Sequence, residues 1–457
     1  MRRGAPLNKR LLFFSFLLGL ATALRPPPLQ AEEIFYDRYA PLWREGPLKK
    51  SPSKSAEAFQ DMGKHFLVYP FELVRWPVDQ TLVYVEEHHL YDKVSWIYER
   101  VKDFGVTPRV VKGSSVRDGF GGGFDLELVK LARLKERFPD LTVETSSLWT
   151  IDYLTAYGAK IRQDKIASTG FFAGGNFKYE NRGEEHFYGV GPHTSLGDGT
   201  SYRMERTVLE SFFGYEFLNT WNLKGIFGYR NVNITNGEDG GRGIIDEIFV
   251  ATGRQRIPGL SGDQILSGDV ELEHDNRDSK DVPTEGGYER FRFGFNKGLE
   301  NDSGYFKYRG EAAHFFKLFS DRRVLAFRGV VESNDELGGR QTPFFEMARL
   351  GGYGTYPRYG EVHRGYRRDR FYDESVLLFN MEYRWAAWEY RNLVMDSVLF
   401  SDVGQVFGEW RDFQFSNFRV SYGLGFRVSL EKSIVVGLEI ARANEGTEFY
   451  VTTKAPF

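Results

Sequence analysis

An arginine-rich segment and two later carboxylates are the residues of this chain best suited to specific ionic recognition. Residues 363–370 read His-Arg-Gly-Tyr-Arg-Arg-Asp-Arg, so Arg364 precedes a glycine and an aromatic residue. Glu382 and Asp402 lie in the next two segments of alternating polar and apolar residues. A planar guanidinium binds a carboxylate through two parallel hydrogen bonds, which an ammonium cannot do. The pattern predicts a socket in which a loop arginine folds onto both carboxylates. The alternative is that these groups are solvated charges of a water-filled pore.

The residues beside these groups fit an incoming loop. Asp402 shares one face of its segment with Phe400 and Gly404, because side chains alternate between the two faces of a strand. Gly404 would leave space for the loop, and Gly365 would let the loop turn sharply before Tyr366. The sequence therefore places the socket on the polar, inward face of two neighbouring strands.

Residues that could break covalent bonds or hold a metal are sparse. The chain has 8 His and no Cys, and it has no Gly-x-Ser-x-Gly motif. The adjacent residues His88 and His89 fall in a predicted helix, where neighbouring side chains point apart. A membrane phospholipase would need an outward-facing Ser-His pair, and His314 is the histidine with that position in a strand. We therefore predict no enzymatic activity, no cofactor and no metal.

The elements that must position the socket are strands with one apolar and one polar face. Every even position from Phe418 to Leu430 is apolar, and the odd positions are small or charged. A period of two is typical of strands. The final run continues this pattern, with Phe449, Val451, Ala455 and Phe457 on the apolar face.

The same reading along the chain predicts about sixteen strands. Their predicted ranges are 106–113, 121–132, 139–149, 151–163, 166–179, 202–218, 221–232, 264–276, 285–299, 303–318, 322–333, 374–388, 391–407, 415–430, 433–443 and 446–457.

Loop lengths distinguish a membrane barrel from a secreted β-sandwich. The long connections 180–201, 233–263 and 334–373 all follow odd-numbered strands, whereas several connections after even-numbered strands are very short. Long loops on one side and short turns on the other are typical of outer-membrane barrels. The 40 Phe and 25 Tyr residues also fit aromatic girdles at the two membrane interfaces. We expect the long loops to be extracellular.

The first hundred residues carry a targeting signal and a short segment before the barrel. Residues 1–31 combine basic residues, an apolar run and small residues, as in a signal peptide cleaved after Ala23 or Ala31. Residues 32–104 form a polar linker and a helical stretch, with a helix predicted at 87–103 near the periplasmic mouth. The predicted fold class is all-β: a roughly 16-stranded antiparallel transmembrane β-barrel over 105–457, with a short partly helical N-terminal periplasmic segment. A net charge of -3 argues against a nucleic-acid partner.

Four motifs in order resemble one family. The first is Gly-Gly-Tyr with Arg-Gly-Tyr at 351–366, followed by Glu382 and by the Phe-x-Asp-x-Gly of Phe400, Asp402 and Gly404. The second is the turn with Asn276, Arg277, Asp278, Pro283 and Gly286. The third is Tyr-Gly-Val-Gly at 188–191, and the fourth is the terminal Phe457. Together they resemble the BamA/TamA-type outer-membrane assembly superfamily, the bacterial surface antigen barrel. This resemblance implies that Arg364 inserts into the barrel and contacts Asp402 and Glu382. It also implies that Phe457 is the sorting signal read by the assembly machinery.

The resemblance implies a function in inserting or translocating proteins or lipids at the outer membrane. The implied partners are outer-membrane lipid, unfolded barrel-protein or secreted-protein clients, and the outer-membrane assembly machinery that inserts the chain itself. We expect no POTRA repeat between Ala31 and the barrel, which departs from the family pattern. A passive or gated pore that keeps the fold without assembly activity stays open as the alternative.

The seam between the first and last strands is predicted to be the weakest ladder. Pro108 in 106–113 and Pro456 in 446–457 each lack a backbone donor. In the family that seam is the proposed lateral gate, although short strands could also reflect closure alone.

Overall fold

The structure is a computed structural model that describes residues 100, 103–112, 120–134, 136–150, 154–237, 257–318, 320–353, 360–390, 393–430, 433–452 and 454–457. The predicted signal peptide and linker lie outside these residues. So does the predicted helix 87–103, apart from Arg100 and Asp103. Among the residues described, no helix is both long and apolar enough to span a bilayer.

Eighteen strands are described in the chain. Strands β1 to β9 are Val106–Lys112, Phe120–Glu127, Leu141–Thr150, Leu154–Gln163, Phe171–Phe187, Thr200–Phe217, Trp221–Asn236, Asp263–Asp275 and Gly286–Gly298. Strands β10 to β18 are Gly304–Leu318, Ser320–Glu336, Ala348–Leu350, Phe371–Asp373, Ser375–Tyr390, Leu393–Phe407, Arg419–Leu430, Ser433–Ala443 and Gly446–Thr452. Among the elements whose full range is described, the short α-helix α1 is Leu128–Leu131, and short 3-10 turns occur at Ile166–Ser168, Leu196–Asp198, Phe344–Glu346, Trp410–Asp412 and Phe415–Asn417.

Sixteen of the strands form one antiparallel sheet in which each strand pairs with the next along the chain. The remaining two, β12 and β13, form a small ladder within the connection between β11 and β14. This is the predicted all-β, sixteen-stranded transmembrane β-barrel, and the prediction of the fold class is confirmed.

The alternation in the sequence reappears as two faces of the sheet. On β16 the side chains of Val420, Tyr422 and Leu424 are 53, 64 and 48% exposed, whereas Ser421 and Arg427 are buried. The exposed apolar face is the one that meets lipid in a membrane barrel, and the buried polar face lines the lumen. Polar side chains therefore concentrate inside, where they can contact whatever occupies the lumen.

The two longest connections and the shortest ones lie at opposite ends of the strands. The longest, between β11 and β14, runs from residue 337 to 374, and that between β7 and β8 runs from 237 to 262. At the other end, β16 and β17 are joined by two residues and β10 and β11 by one. The two ends are called the long-loop end and the short-turn end below.

Several predicted boundaries are wrong. The predicted strand 121–132 stops at Glu127 because the chain turns into α1. Strand β5 continues to Phe187, which shortens the predicted loop 180–201 to residues 188–199. The connection before β16 contains 3-10 turns where strand 415–430 was predicted to begin.

The predicted final strand 446–457 is also too long. Strand β18 ends at Thr452, and Phe457 packs on Phe315 of β10 and Arg384 of β14. Both of these side chains are buried on the lumenal face. Phe457 therefore lies inside the barrel and does not extend the outward apolar row that the alternation predicted.

The seam between β1 and β18 carries no ladder in the described part of the chain. The sheet order begins at β1 and ends at β18, and every other pair of neighbours is hydrogen-bonded. Each of these two strands therefore presents one edge without a partner strand among the described residues.

Candidate functional site

The connection between β11 and β14 folds back on itself to present Arg364. Its two arms are joined by the β12–β13 ladder and by bridges from Leu350 to Glu361 and from Gly352 to His363. Gly352 has φ +70°, and a Cβ there would lie 2.6 Å from the Cα of Arg368. Only glycine permits so close an approach of the two arms. We call residues 337–374 the inserted loop.

Arg364 is fully buried and bound to Asp402 of β15. Its Nε and Nη2 donate to the two carboxylate oxygens of Asp402 at 2.8 and 2.7 Å. The backbone N–H of Arg364 donates to the same carboxylate at 2.9 Å. Asn380 donates a further hydrogen bond to Asp402 at 2.8 Å. The predicted pairing thus has the bidentate geometry that favours arginine over lysine.

The remaining nitrogen of the guanidinium contacts two further carboxylates. Nη1 donates to Glu382 at 2.6 Å and to Glu439 of β17 at 3.2 Å. Arg427 of β16 donates to both of these glutamates, and Arg384 donates to Glu382 at 2.7 Å. Three buried carboxylates therefore face three buried arginines. Mutual pairing compensates for the cost of removing each charge from water.

Phe400, which was predicted to face inward, forms the floor of this socket. The guanidinium carbon of Arg364 lies 3.5 Å from the centre of the Phe400 ring. A Cβ on Gly423 of β16 would lie 2.4 Å from that ring, so glycine at 423 makes room for Phe400. The aromatic face adds a cation–π contact to the ion pairs.

Gly365 and Tyr366 fasten the loop to the far strands. Gly365 has φ +87°, and its N–H donates to the hydroxyl of Tyr450 on β18 at 2.9 Å. That hydroxyl donates to the carbonyl of Tyr366 at 3.2 Å. The Tyr366 hydroxyl donates to the side chain of Asn444 at 2.8 Å. The chain turns at Gly365, and these hydrogen bonds position the loop against β17 and β18.

Gly404 lies against the inserted loop. A Cβ there would lie 3.2 Å from Leu350 of the inserted loop and 3.0 Å from Leu378.

Glu361 is a second anchor of the inserted loop that the sequence did not suggest. It accepts a hydrogen bond from Arg328 of β11 at 2.7 Å and pairs with Arg309 of β10. Arg328 is also held by Glu311 at 2.7 Å. The loop is therefore bonded to strands on both sides of the lumen.

Two titratable groups of the loop have shifted pKa values. Burial lowers the pKa of His363 to about 4, and neither of its ring nitrogens has a hydrogen-bond partner in the described residues. Burial raises the pKa of Asp369 to about 6, although Arg349 opposes the rise. At neutral pH, His363 is thus a neutral ring in edge-to-face contact with Tyr366, with ring centres 4.7 Å apart.

The turn with Asn276, Arg277, Asp278, Pro283 and Gly286 joins β8 to β9 at the short-turn end. Asp278 accepts hydrogen bonds from the backbone N–H groups of Thr284 and Glu285 at 2.8 and 3.1 Å. Arg277 pairs with Asp275 at 2.8 Å. A Cβ on Gly286 would lie 2.4 Å from the carbonyl of Asn276. The motif residues thus bond to their neighbours within the turn and at the ends of β8 and β9, and none of their described contacts reaches the socket.

His314 has the outward position that was predicted, but its described partners do not form a Ser-His pair. Its Nε2 lies 2.7 Å from Glu289, and the other oxygen of Glu289 lies 2.6 Å from Nδ1 of His274. Within the described ranges, no group of three or more His, Cys, Asp or Glu side chains could hold a metal ion.

The sequence analysis did not identify three residues that contribute to the site. The alternation of side chains along a strand could have identified two of them. Glu439 and Arg427 lie on the polar faces of β17 and β16, so the alternation already places them in the lumen. Glu361 lies in the loop, where no periodicity assigns a direction to its side chain.

Together, the outward apolar face, the charged lumen and the inserted arginine define an outer-membrane β-barrel with an occupied interior. The chain matches the Omp85 superfamily domain over residues 146–430, and it belongs to the Omp85 superfamily. The predicted resemblance to BamA/TamA-type barrels is confirmed. This superfamily comprises outer-membrane barrels of the insertase and translocator type.

Solved structures of similar fold include BamA from Haemophilus ducreyi lacking POTRA domains 1-3. It is 15% identical, with a TM-score of 0.52 over 78% of this chain and 76% of that one. CdiB from Acinetobacter baumannii is 10% identical, with a TM-score of 0.45 over 73% of this chain and 56% of that one. CdiB from Escherichia coli is 11% identical, with a TM-score of 0.48 over 76% of this chain and 61% of that one. No curated protein matches the chain.

Proposed function

We propose that this barrel assists the insertion or translocation of proteins at the outer membrane. The observation that carries the proposal is that β1 and β18 each have one edge with no partner strand among the described residues. Strands β1 and β18 are neighbours in a closed sixteen-stranded barrel, yet no ladder joins them in the described residues. A free strand edge is a template on which another extended chain can pair. A client strand could therefore add to either edge.

The contents of the lumen support this role over that of a passive pore. The inserted loop is bonded to the barrel wall from β10 to β18, through Arg309, Asp402 and Tyr450 among others. Charged side chains that would face water in an open pore are instead paired with the loop. The loop therefore occupies part of the space that an open pore would leave to solutes.

The proposed topology places the long-loop end outside the cell and the short-turn end in the periplasm. Residues preceding Phe104 would then be periplasmic, after removal of the signal peptide. The proposed partners are outer-membrane lipid, unfolded barrel or secreted clients, and the assembly machinery that recognises Phe457 during insertion of the chain itself.

Reconstitution tests the proposal. The full chain in liposomes is mixed with a urea-unfolded outer-membrane barrel, and client folding is followed by protease protection. We expect client folding to be at least several-fold faster than in empty liposomes. The control liposomes contain a barrel of similar size with a closed ladder at every strand pair. Equal client folding in both, together with steady ion conductance by this chain, would support the pore instead.

A further inference from the structure

Residues 454–457, which follow β18, turn into the lumen beside the inserted loop. The hydroxyl of Tyr353 donates to the carbonyl of Lys454 at 2.7 Å. The guanidinium of Arg384 lies 5.4 Å from the centre of the Phe457 ring and donates to the Phe457 backbone oxygen at 3.3 Å. We call residues 454–457 the lumenal segment. It is held at both of its ends.

The lumenal wall offers the Phe457 ring an apolar surface. Phe315 stands 6.1 Å from that ring, centre to centre. Phe315 belongs to a buried apolar cluster with Ala313, Val324 and Ala326. Because the socket next to it is lined with charged groups, this cluster is a suitable local site for an aromatic side chain.

The sheet offers the same segment a second position. In the ladder between β17 and β18, Thr452 pairs with Gly437. Strand β17 begins at Ser433, and within the described residues none of 433–436 pairs with β18. An extension of β18 by the lumenal segment would fill that gap. It would also carry Ala455 onto the outward face of Phe449 and Val451, because side chains alternate along a strand.

Two contacts link the position of the segment to the socket. Arg384, which holds Phe457, is itself bonded to Glu382, an acceptor of Arg364. Tyr353, which holds Lys454, belongs to the inserted loop and packs on Tyr450 with ring centres 5.6 Å apart. Undocking of the loop would therefore remove the Tyr353 restraint directly, and it would take away Arg364, one of the cations that share Glu382 with Arg384.

We propose that Phe315, Tyr353 and Arg384 form a binding cleft for residues 454–457, and that docking of Arg364 keeps the segment there. When the cleft is empty, the segment extends β18 along β17 and lengthens the strand at the seam. This inference deepens the proposed function, because the seam is where clients would pair. Its test measures only the position of the segment, so it can fail or succeed independently of client folding.

The test uses lipid quenching of a fluorophore at one introduced cysteine, since the chain has no Cys of its own. Bimane is attached to Ala455→Cys in the full chain, reconstituted with brominated lipids. Val451→Cys on β18 is the control for an outward, lipid-facing position. We expect the label at 455 to be quenched at most half as strongly as the label at 451.

Variants of the cleft and the socket then test the restraint. In the Ala455→Cys background, Tyr353→Phe, Arg384→Gln and Arg364→Ala should each raise quenching at least twofold. Phe315→Ala is a fourth variant, which removes only apolar contact. Heat modifiability on gels reports whether each variant has folded. Strong quenching at 455 in the parent chain, or no change in any folded variant, would overturn the proposal.

Discussion

Arg364 and Asp402 lie 38 positions apart in the chain and share three hydrogen bonds, two from the guanidinium and one from the backbone N–H of the arginine. Both side chains are fully buried. The backbone bond fixes the turn of the loop, while the bidentate pair fixes the side chain. This pairing therefore specifies one docked position of the loop, and each of the following expectations depends on it.

Removal of the Arg364 side chain should be strongly destabilising. Arg364→Ala leaves three buried carboxylates with one fewer cation, which should cost about 3–5 kcal/mol. Arg364→Lys should recover only part of this loss, because an ammonium cannot make the bidentate contact. The measurement is the thermal unfolding midpoint in detergent micelles. The control is Arg411→Ala, since Arg411 pairs with Glu409 but its side chain is 76% exposed. A loss no larger than that of the control would contradict the role of the socket.

Glu439→Gln tests the acceptor that the sequence analysis missed. Glu439 accepts from Arg364 and Arg427, so its neutralisation should cost about 1–3 kcal/mol and increase cleavage of the inserted loop by protease. Glu216→Gln is the matched control, because Glu216 is exposed on the same sheet. If both substitutions leave protease cleavage unchanged, Glu439 contributes nothing to docking of the loop.

The buried ring of His363 should make loop docking weaker in acid. Its pKa is lowered to about 4, chiefly by burial, against about 6.5 for a free imidazole. Between about pH 4 and 6.5, the loop therefore binds more protons when it is undocked than when it is docked. Docking is strongest above pH 6.5 and loses up to about 3 kcal/mol as the pH falls to 4. Asp402 opposes this shift, while Arg364 and Arg419 add to it.

His363→Phe isolates that contribution. The variant keeps an aromatic ring in edge-to-face contact with Tyr366 and removes two nitrogens that have no hydrogen-bond partner in the described residues, so at pH 7 it should be as stable as the parent or more stable. Asp369 acts in the opposite sense, because its pKa is raised to about 6 and docking gains from its protonation. The informative quantity is therefore the difference in loop protection between parent and variant from pH 7 to 4. A difference that does not change with pH would refute the assignment to His363.

Gly365→Ala should loosen the turn that follows Arg364. A Cβ at φ +87° would also lie 3.1 Å from the side chain of Ser421, so we expect a loss of about 1–2 kcal/mol. Gly268→Ala is the control, since a Cβ there meets nothing within 4 Å. The check is the difference between their unfolding midpoints, and equal midpoints would show that the turn tolerates side chains.

The alternation of side chains along a strand explains which features of the fold and of the site the sequence predicted correctly. Glu382 and Asp402 face inward because each lies two residues from other inward positions of its strand, and the period of a strand is fixed. The sixteen strands follow from the same period. Loop residues such as Glu361 have no such constraint, so only the folded loop shows that Glu361 meets Arg328.

Tertiary contacts also overrule local patterns. The alternation continues through Ala455 and Phe457 and predicts two more outward side chains. The cluster around Phe315 and the guanidinium of Arg384 instead hold Phe457 in the lumen. Neither partner is close to Phe457 in the sequence, so the pattern alone could not reveal this competition.

A disulfide scan across the seam tests the central claim most directly. Cysteine pairs are placed between β1 and β18, over Val106–Lys112 and Gly446–Thr452, and client folding is measured in liposomes before and after reduction. The control pair is Phe295→Cys with Phe306→Cys, which are directly opposite on β9 and β10. We predict that oxidised seam pairs abolish client folding, that reduction restores it, and that the control pair has no effect. Client folding that continues at the parent rate with the seam locked would contradict the proposed role of the seam.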